Sequence, residues 1–407
     1  MPYDVIVVGA GAAGLMAAGT AARAGKKVAL LEKNARPARK VMITGKGRCN
    51  LTNLTDNNGL IAAAVHGGKF LYSAFHRFSA EDTIRLFEDL GVPLKTERGN
   101  RVFPVSDKAV DIVDALARYA KGAQYLTGRA SELLIEDGVV QGVTTEDGRS
   151  FAAGSVVLAT GGLSYPATGS TGDGYALAQA AGHTVQPLYP SLVPLEVQDS
   201  WVTTLQGLAL KNVGVSVYEV GKTKPVYTDF GELLFAHFGI TGPTVLSASA
   251  HLEPAKISSY TVSIDLKPAL DEKQLDQRIL RDFSKYSNKD LKNAMVDLLP
   301  QRLIPVILRK AGLDMAVKPN QLQKVQRAAL VRLLKGLPVS VRGFRPIEEA
   351  IVTRGGVTTA EISPVTMQSK LCRGLFFAGE VMDVDAYTGG FNLQIAFSTG
   401  FLAGENA

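Results

Sequence analysis

Cysteine is nearly absent: Cys49 and Cys372 are the two thiols in 407 residues. Two cysteines cannot make a disulfide framework, so a reducing, cytoplasmic setting is expected. No stretch approaches the roughly 20 apolar residues of a membrane span. No basic-then-apolar leader precedes the first apolar run, so no membrane contact is expected either. Low-complexity tracts and internal repeats are missing too. Charge is moderate, with 20% charged against 46% apolar residues and a net of +6. That balance is ordinary for a globular chain and too apolar for disorder. The mild basic excess suits an anionic cofactor and does not by itself make nucleic acid a partner. The length allows two or three domains with sizeable cores, and no metal site is expected.

What is present begins at the start. An apolar run at 3–8 (YDVIVV) leads straight into Gly9-Ala10-Gly11-Ala12-Ala13-Gly14. A small-residue helix follows to Ala24 and is stopped by Gly25. A second apolar run at 28–31 then ends on Glu32. Strand, glycine turn, helix, strand and acid in this order form the dinucleotide-binding fingerprint. Gly9 permits the tight turn, Gly11 lets the backbone approach a pyrophosphate, and Gly14 with Ala18 lets the helix lie close on the sheet. The helix N-terminus offers free N–H groups to phosphate. Glu32 is placed to accept ribose hydroxyls and argues against a 2′-phosphate.

Residues 33–53 form a long polar loop in which Arg39, Lys40 and Arg48 can neutralise the pyrophosphate, while its glycines let backbone amides face a planar ring. Two amphipathic helices are predicted next, one capped by Ser79 with Asp82, the other by Ser106. Two Asp-Gly turns, at 137–138 and 147–148, join three strands that run into Val156-Val157-Leu158-Ala159-Thr160-Gly161-Gly162. A glycine- and hydroxyl-rich turn at 163–174 opens another helix, with Asp173 as its candidate cap. From about 190 the pattern becomes β-rich, then helical and charged. Near 341 the sheet pattern resumes toward Gly379-Glu380 and Gly389-Gly390. Glu380 can take the hydroxyls of a ribityl chain, and the amides near Asn392 can face the pyrimidine edge of a flavin.

Four stretches, at 45–53 (GKGRCNLTN), 159–174 (ATGGLSYPATGSTGDG), 237–243 (HFGITGP) and 379–394 with GEVMD and GGFNLQ, resemble those of bacterial single-chain NAD(P)/FAD-dependent oxidoreductases. That family includes aminoacetone oxidase and the flavin reductase of 3-oxo bile-acid dienones. The resemblance covers essentially the whole chain. It implies an α/β architecture with a discontinuous, Rossmann-like FAD domain of glutathione-reductase type, 1–190 plus 341–407. An inserted barrel-like β unit, 191–270, and a helical cap, 271–340, would serve as lid. It places noncovalent FAD against Gly9, Gly11, Ala13, Gly14, Glu32, Lys33, Lys40, Arg48, Asn50, Ala130, Thr160, Gly161, Gly379, Glu380, Asn392 and Leu393. The chain departs from the family at Lys46, where glycine is the easy choice for a left-handed turn, and at Phe391, where the family prefers tyrosine.

A flavin performs hydride transfer while the protein orients the substrate and tunes the ring. Cys49 is a candidate redox thiol, although a packed, inert thiol is the plainer reading. His237 is a candidate proton donor or a turn-fixing residue, and Tyr387 a candidate acid or a packing residue. No second G-x-G-x-x-G stands between a strand and a helix, so NADH or NADPH as co-substrate must share the substrate face or lean on the insertion. The favoured expectation is an NAD(P)H-dependent reductase of an activated C=C in a small molecule. An O₂-using oxidase of a small amine or aminoketone is the alternative. An RNA-associated flavoprotein is the reading from another class, resting on basic residues such as Arg302, Arg309, Lys324 and Arg332, and nucleic acid is the less favoured partner.

Overall fold

The computed structural model describes residues 2–407. They form two compact units: the chain up to Ser191 with Pro346–Ala407, and Leu192–Arg345.

In the first unit, β1 (Tyr3–Val8), α1 (Ala12–Arg23) and β2 (Val28–Glu32) follow one another as the fingerprint requires. β2 and the second half of β1 are buried without alternation, as expected for parallel strands covered on both faces. The main sheet runs Gln124–Thr127, β2, β1, Ser150–Leu158, Val139–Thr145, Ala130–Glu136, with Leu375–Phe377 also on Ser150–Leu158. The nine-residue strand Ser150–Leu158 joins two patterns. Its first residues pair antiparallel with Val139–Thr145, and its last pair parallel with β1 and Leu375–Phe377. The first Asp-Gly turn has Asp137 at φ 48° and Gly138 at φ 72°, the two positive angles of a hairpin whose twist matches its strands.

The helix Phe391–Asn406 lies against α1 at backbone distance. A Cβ on Gly400 would stand 2.4 Å from the Ala13 carbonyl oxygen, and one on Gly404 2.3 Å from that of Ala17. Glycines four apart therefore face alanines four apart.

Ser79 and Asp82 make the expected capping box, with Ser79 N–H donating to Asp82 at 2.9 Å and Asp82 N–H to Ser79 Oγ at 3.2 Å. Ser106 does not cap. The helix there, Ala109–Tyr119, starts behind Lys108, and Asp107 sits left-handed at φ 56°. Arg48 and Lys95 hold the Asp107 carboxylate. Asp173 is no cap either, since Gly172 occupies that position. Lys46 adopts the left-handed turn without glycine, at φ 59° and ψ 42°.

The second unit is a closed six-stranded antiparallel barrel, in the order Leu195–Val197, Gly239–Thr241, Tyr227–Phe235, Ala209–Glu219, Tyr260–Asp265, Leu337–Phe344. Val213, Val215 and Val217 alternate inward, as do Val262 and Ile264. The strand that closes the barrel follows the helices in sequence. Leu275, Ile279, Ile307, Leu330 and Leu334 from those helices share one apolar core with the barrel interior. Among the described residues no helix is long and apolar enough to cross a membrane.

Candidate functional site

One cleft in the first unit gathers segments from both ends of the chain and encloses about 1300 Å³, its open mouth included. Its wall carries Gly9 and Gly11 from the glycine turn, Ala13 from the start of α1, Glu32 from the end of β2, Lys33 and Lys40 from the segment after it, and Ala130 from the meander. Thr160 and Gly161, Gly379 and Glu380, and Asn392 and Leu393 complete it.

The three glycines of the turn serve different ends. Gly9 sits at φ 98°, and a Cβ there would meet the Ala159 carbonyl oxygen at 2.7 Å. A Cβ on Gly14 would stand 1.8 Å from the Gly9 carbonyl oxygen, so Gly14 lies beneath the turn rather than on the cleft wall. A Cβ on Gly11 would meet nothing within 4 Å, so the missing side chain at Gly11 leaves room at the wall. Gly11 is also the N-cap of α1, and Gly390 that of Phe391–Asn406, and neither offers a side chain to the first N–H groups. Two long helices thus present open N-termini on one cleft, each favouring negative charge. The Thr160 hydroxyl, on the same wall, is buried without a hydrogen-bond partner.

Glu32 is buried at the end of β2 and fixed by three donors. Oε2 accepts from Ala10 N–H at 2.8 Å; Oε1 accepts from Asn34 N–H at 2.8 Å and Asn34 Nδ2 at 2.7 Å. A carboxylate has about four acceptor positions, which leaves one for a ligand hydroxyl. Lys33 Nζ lies 2.7 Å from Asp173, which Arg129 also grips at 2.8 Å. Burial alone would raise the Asp173 carboxyl, but hydrogen bonds from Arg129, Lys33 and Thr171 overcome it and hold the pKa at about 2. Lys40 Nζ reaches Glu380 Oε2 and Ser164 Oγ, both at 2.6 Å. Glu380 Oε1 accepts from Ser164 Oγ at 3.0 Å and Thr353 N–H at 2.9 Å. Ser164, Thr353 and Asn34, which the sequence did not single out, thereby set Glu32 and Glu380, two of the three acids on the wall.

The structure does not bring Arg48 or Asn50 to the wall. The Arg48 guanidinium pairs with Glu97 and Asp107 and stacks 4.2 Å from the Phe103 ring centre. The Asn50 amide donates to the Thr52 carbonyl and accepts from Gly390 N–H, each at 3.2 Å, and so supports the start of the last helix. Asn392 does the same with its side chain, accepting from Ala386 N–H at 3.0 Å and donating to Ala386 O at 2.7 Å, so its backbone is what faces the cleft.

Of the candidate catalytic residues, Cys49 is fully buried, and burial pushes its thiol up to about 12, a hydrogen bond with Thr44 offsetting part of that. Tyr387 is half-buried off the wall, its carbonyl accepting from Asn392 Nδ2 at 3.3 Å. His237 belongs to the barrel unit, exposed, its ring edge-on to Phe238 at 5.0 Å. The placement of Cys49 makes a prediction. In native protein at pH 8 neither thiol should react with a soluble disulfide reagent over minutes, and both should react once guanidinium unfolds the chain. Rapid modification of Cys49 in the native state would contradict the packing.

The HI0933-like protein Rossmann domain family matches over residues 3–406. A ribosomal RNA dihydrouridine synthase of Escherichia coli is 34% identical over 99% of this chain and 98% of its own length. A 3-dehydro-bile acid delta(4,6)-reductase of Clostridium scindens is 31% identical over 98% of each chain. The structure of a 3-ketosteroid-delta4-(5alpha)-dehydrogenase from Rhodococcus jostii RHA1 superposes with a TM-score of 0.52 at 18% identity, covering 99% of this chain and 97% of that one, a likeness of fold.

Proposed function

Because this chain belongs to the HI0933-like Rossmann family of flavin-dependent oxidoreductases, we propose that it binds FAD in the cleft without a covalent bond and reduces a C=C conjugated to a carbonyl, with NADH or NADPH as the electron source. The observation that carries this reading is the cleft itself: room at Gly11, two open helix N-termini, a partnerless Thr160 hydroxyl and two fixed carboxylates on one wall. FAD, when bound, supplies hydride transfer. The chain's residues do the rest. Glu32 would accept a ribose hydroxyl, and the amides after Gly11 would hold phosphate. Lys33 and Lys40, each already paired with a carboxylate, would lend it N–H donors more than net charge, and Glu380 would take hydroxyls of the linking chain. The amides at Asn392 and Leu393 favour negative charge on the ring edge.

For the substrate, the reading favours a uracil ring in RNA, whose double bond is conjugated to a carbonyl. Of the relatives named above, one is named as a reductase and the other, the more similar, for making dihydrouridine, uridine with that double bond saturated, in ribosomal RNA. Charge partition supports this. Residues 192–345 hold 21 Lys and Arg against 14 Asp and Glu, a net of +7, whereas the rest of the chain holds 23 against 24. Basic excess confined to one unit is what phosphate backbones select. A steroid-like enone is the second reading, favoured by the bile-acid reductase at 31% identity over the full length. Both place the protein in the cytoplasm, where nicotinamide and RNA are found.

The test is direct. The purified protein should be yellow and release FAD on denaturation. NADH or NADPH should bleach the flavin band anaerobically. The reduced enzyme should be reoxidised by ribosomal RNA lacking dihydrouridine, with dihydrouridine appearing in the nucleoside digest. No bleaching by either nicotinamide, with peroxide formed from amines, would replace the reductase by an oxidase. Reoxidation by a steroid dienone and not by RNA would select the second substrate.

A further inference from the structure

Outside the residues assigned above, one cluster of titratable groups adjoins the cleft. Asp385 lies in the short strand Asp385–Ala386 and is 1% exposed. It pairs in register with His66 of the strand Ala64–His66. One carboxylate oxygen binds His66 Nδ1; the other accepts from Ser191 Oγ at 2.5 Å. The His66 side chain is 29% exposed, and its Nε2 has no hydrogen-bond partner among the described residues. Neither residue is itself on the cleft wall, but each adjoins a residue that reaches it or packs on one that does. Val384, next to Asp385, is on the cleft wall, and a Cβ on Gly67, next to His66, would stand 2.6 Å from Val384 Cγ1. Ala386, on the other side, is bound by Asn392 at the mouth of the last helix. Asp383 stands in the same field, its carboxyl raised by burial, with His66 opposing and Asp385 adding to the shift.

A buried carboxylate on Nδ1 fixes a histidine's orientation and leaves its Nε2 to act outward. We propose that His66 is the acid that protonates the substrate's α-carbon, with Asp385 and Ser191 as positioning residues. This rests on the reading of the chain as a C=C reductase. The electrons balance as follows. With FAD bound and reduced, hydride would bring two electrons to the β-carbon, and the π pair would move onto the α-carbon and its carbonyl. The Nε2–H bond of His66 breaks and a C–H bond forms at the α-carbon. The flavin ends oxidised by two electrons, to be restored by NADH or NADPH, and neutral His66 regains its proton from water at its exposed edge.

The experiment separates the two halves of turnover in His66→Gln, Asp385→Asn and Ser191→Ala, each checked for FAD content and melting temperature. Anaerobic bleaching by the nicotinamide should stay within about twofold of the parent in all three, since no substrate proton is involved. Reoxidation by the C=C substrate should slow about 100- to 10,000-fold in His66→Gln, the usual worth of a general acid, and less in Asp385→Asn. In D₂O the parent should deliver deuterium to one face of the α-carbon, and His66→Gln to both. Unchanged reoxidation and unchanged facial selectivity in folded, flavin-loaded His66→Gln would overturn the proposal and leave the pair as a clamp between two strands. Should His66→Gln fold poorly, Asp385→Asn decides by the same two readouts. If the parent is bleached but no RNA or dienone reoxidises it, the C=C reading fails, and this proposal fails with it.

Discussion

A Gly11→Asp variant should fold as the parent does and purify without colour. Gly11 lies at φ −79° and ψ −169°, which any residue adopts, and a Cβ there touches nothing within 4 Å. It is also the N-cap of α1, where aspartate is favoured over glycine by a few tenths of a kcal/mol. The apoprotein should therefore melt no lower than the parent apoprotein. FAD should bind at least about 100-fold more weakly, about 2.7 kcal/mol. The new carboxylate takes the N–H groups offered to phosphate and sets like charge against it. Gly14→Ala makes the contrast. Its methyl would stand 1.8 Å from the Gly9 carbonyl oxygen, so strand and helix must part, and the apoprotein itself should lose roughly 3 kcal/mol, the upper range for overpacking. Thermal melts of the two apoproteins and a fluorescence titration with FAD distinguish them. A yellow Gly11→Asp protein, or one that melts as low as Gly14→Ala, would remove the glycine turn from the binding site.

The contrast also marks what the sequence made legible. Residues 3–32 could be read nearly completely because every constraint on them is local: a strand, a turn that needs glycine, a helix, an acid at fixed spacing. The Gly379-Glu380 and Asn392 motifs were legible for the same reason, since each is a short backbone device at a strand end or helix start. The loop at 39–53 was legible as a location and not as a set of contacts. Sequence shows that cations stand there but not which carboxylate captures them. Arg48 went to Glu97, 49 positions on, and to Asp107, 59 positions on. Cys49 is buried, as the plainer reading of the sequence had it, and the redox role is the one the packing removes. The His66–Asp385 pair spans 319 positions, and Ser191 joins Asp385 across 194. None of these separations leaves a trace in spacing or periodicity; only the folded sheet makes them neighbours. Ser106 misled because its neighbour Asp107 turns left-handed under the pull of Arg48 and Lys95, a tertiary cause acting on a local rule.

The same tertiary logic makes Glu380 the residue whose loss should cost most. Its carboxylate meets Lys40 from the loop after β2, Ser164 from the turn after Ser150–Leu158, and Thr353 N–H from the strand Val352–Val357. Three distant segments thus converge on one side chain that is 18% exposed, with Lys40 at 23%. Glu380→Ala leaves the Lys40 ammonium with Ser164 alone and strips an acceptor from the Thr353 amide. Removing one partner of a buried pair costs about 3–5 kcal/mol. Partial exposure of Lys40 argues for the lower end, which corresponds to roughly 6–12 °C in melting temperature for a unit of this size. Glu380→Gln keeps one acceptor oxygen for Thr353 and Ser164 and should lose less. The pair also stands on the cleft wall, so both variants should release FAD more readily, and the alanine variant should purify largely as apoprotein. Combining Glu380→Ala with Lys40→Met should restore part of the loss, because the stranded charge is gone; a coupling of about 1–2 kcal/mol is the expected scale for side chains in contact. If the two single losses simply add, the ion pair contributes no coupling. The stability would then have to come from the Thr353 and Ser164 hydrogen bonds, which Glu380→Gln alone would reveal by melting with the parent.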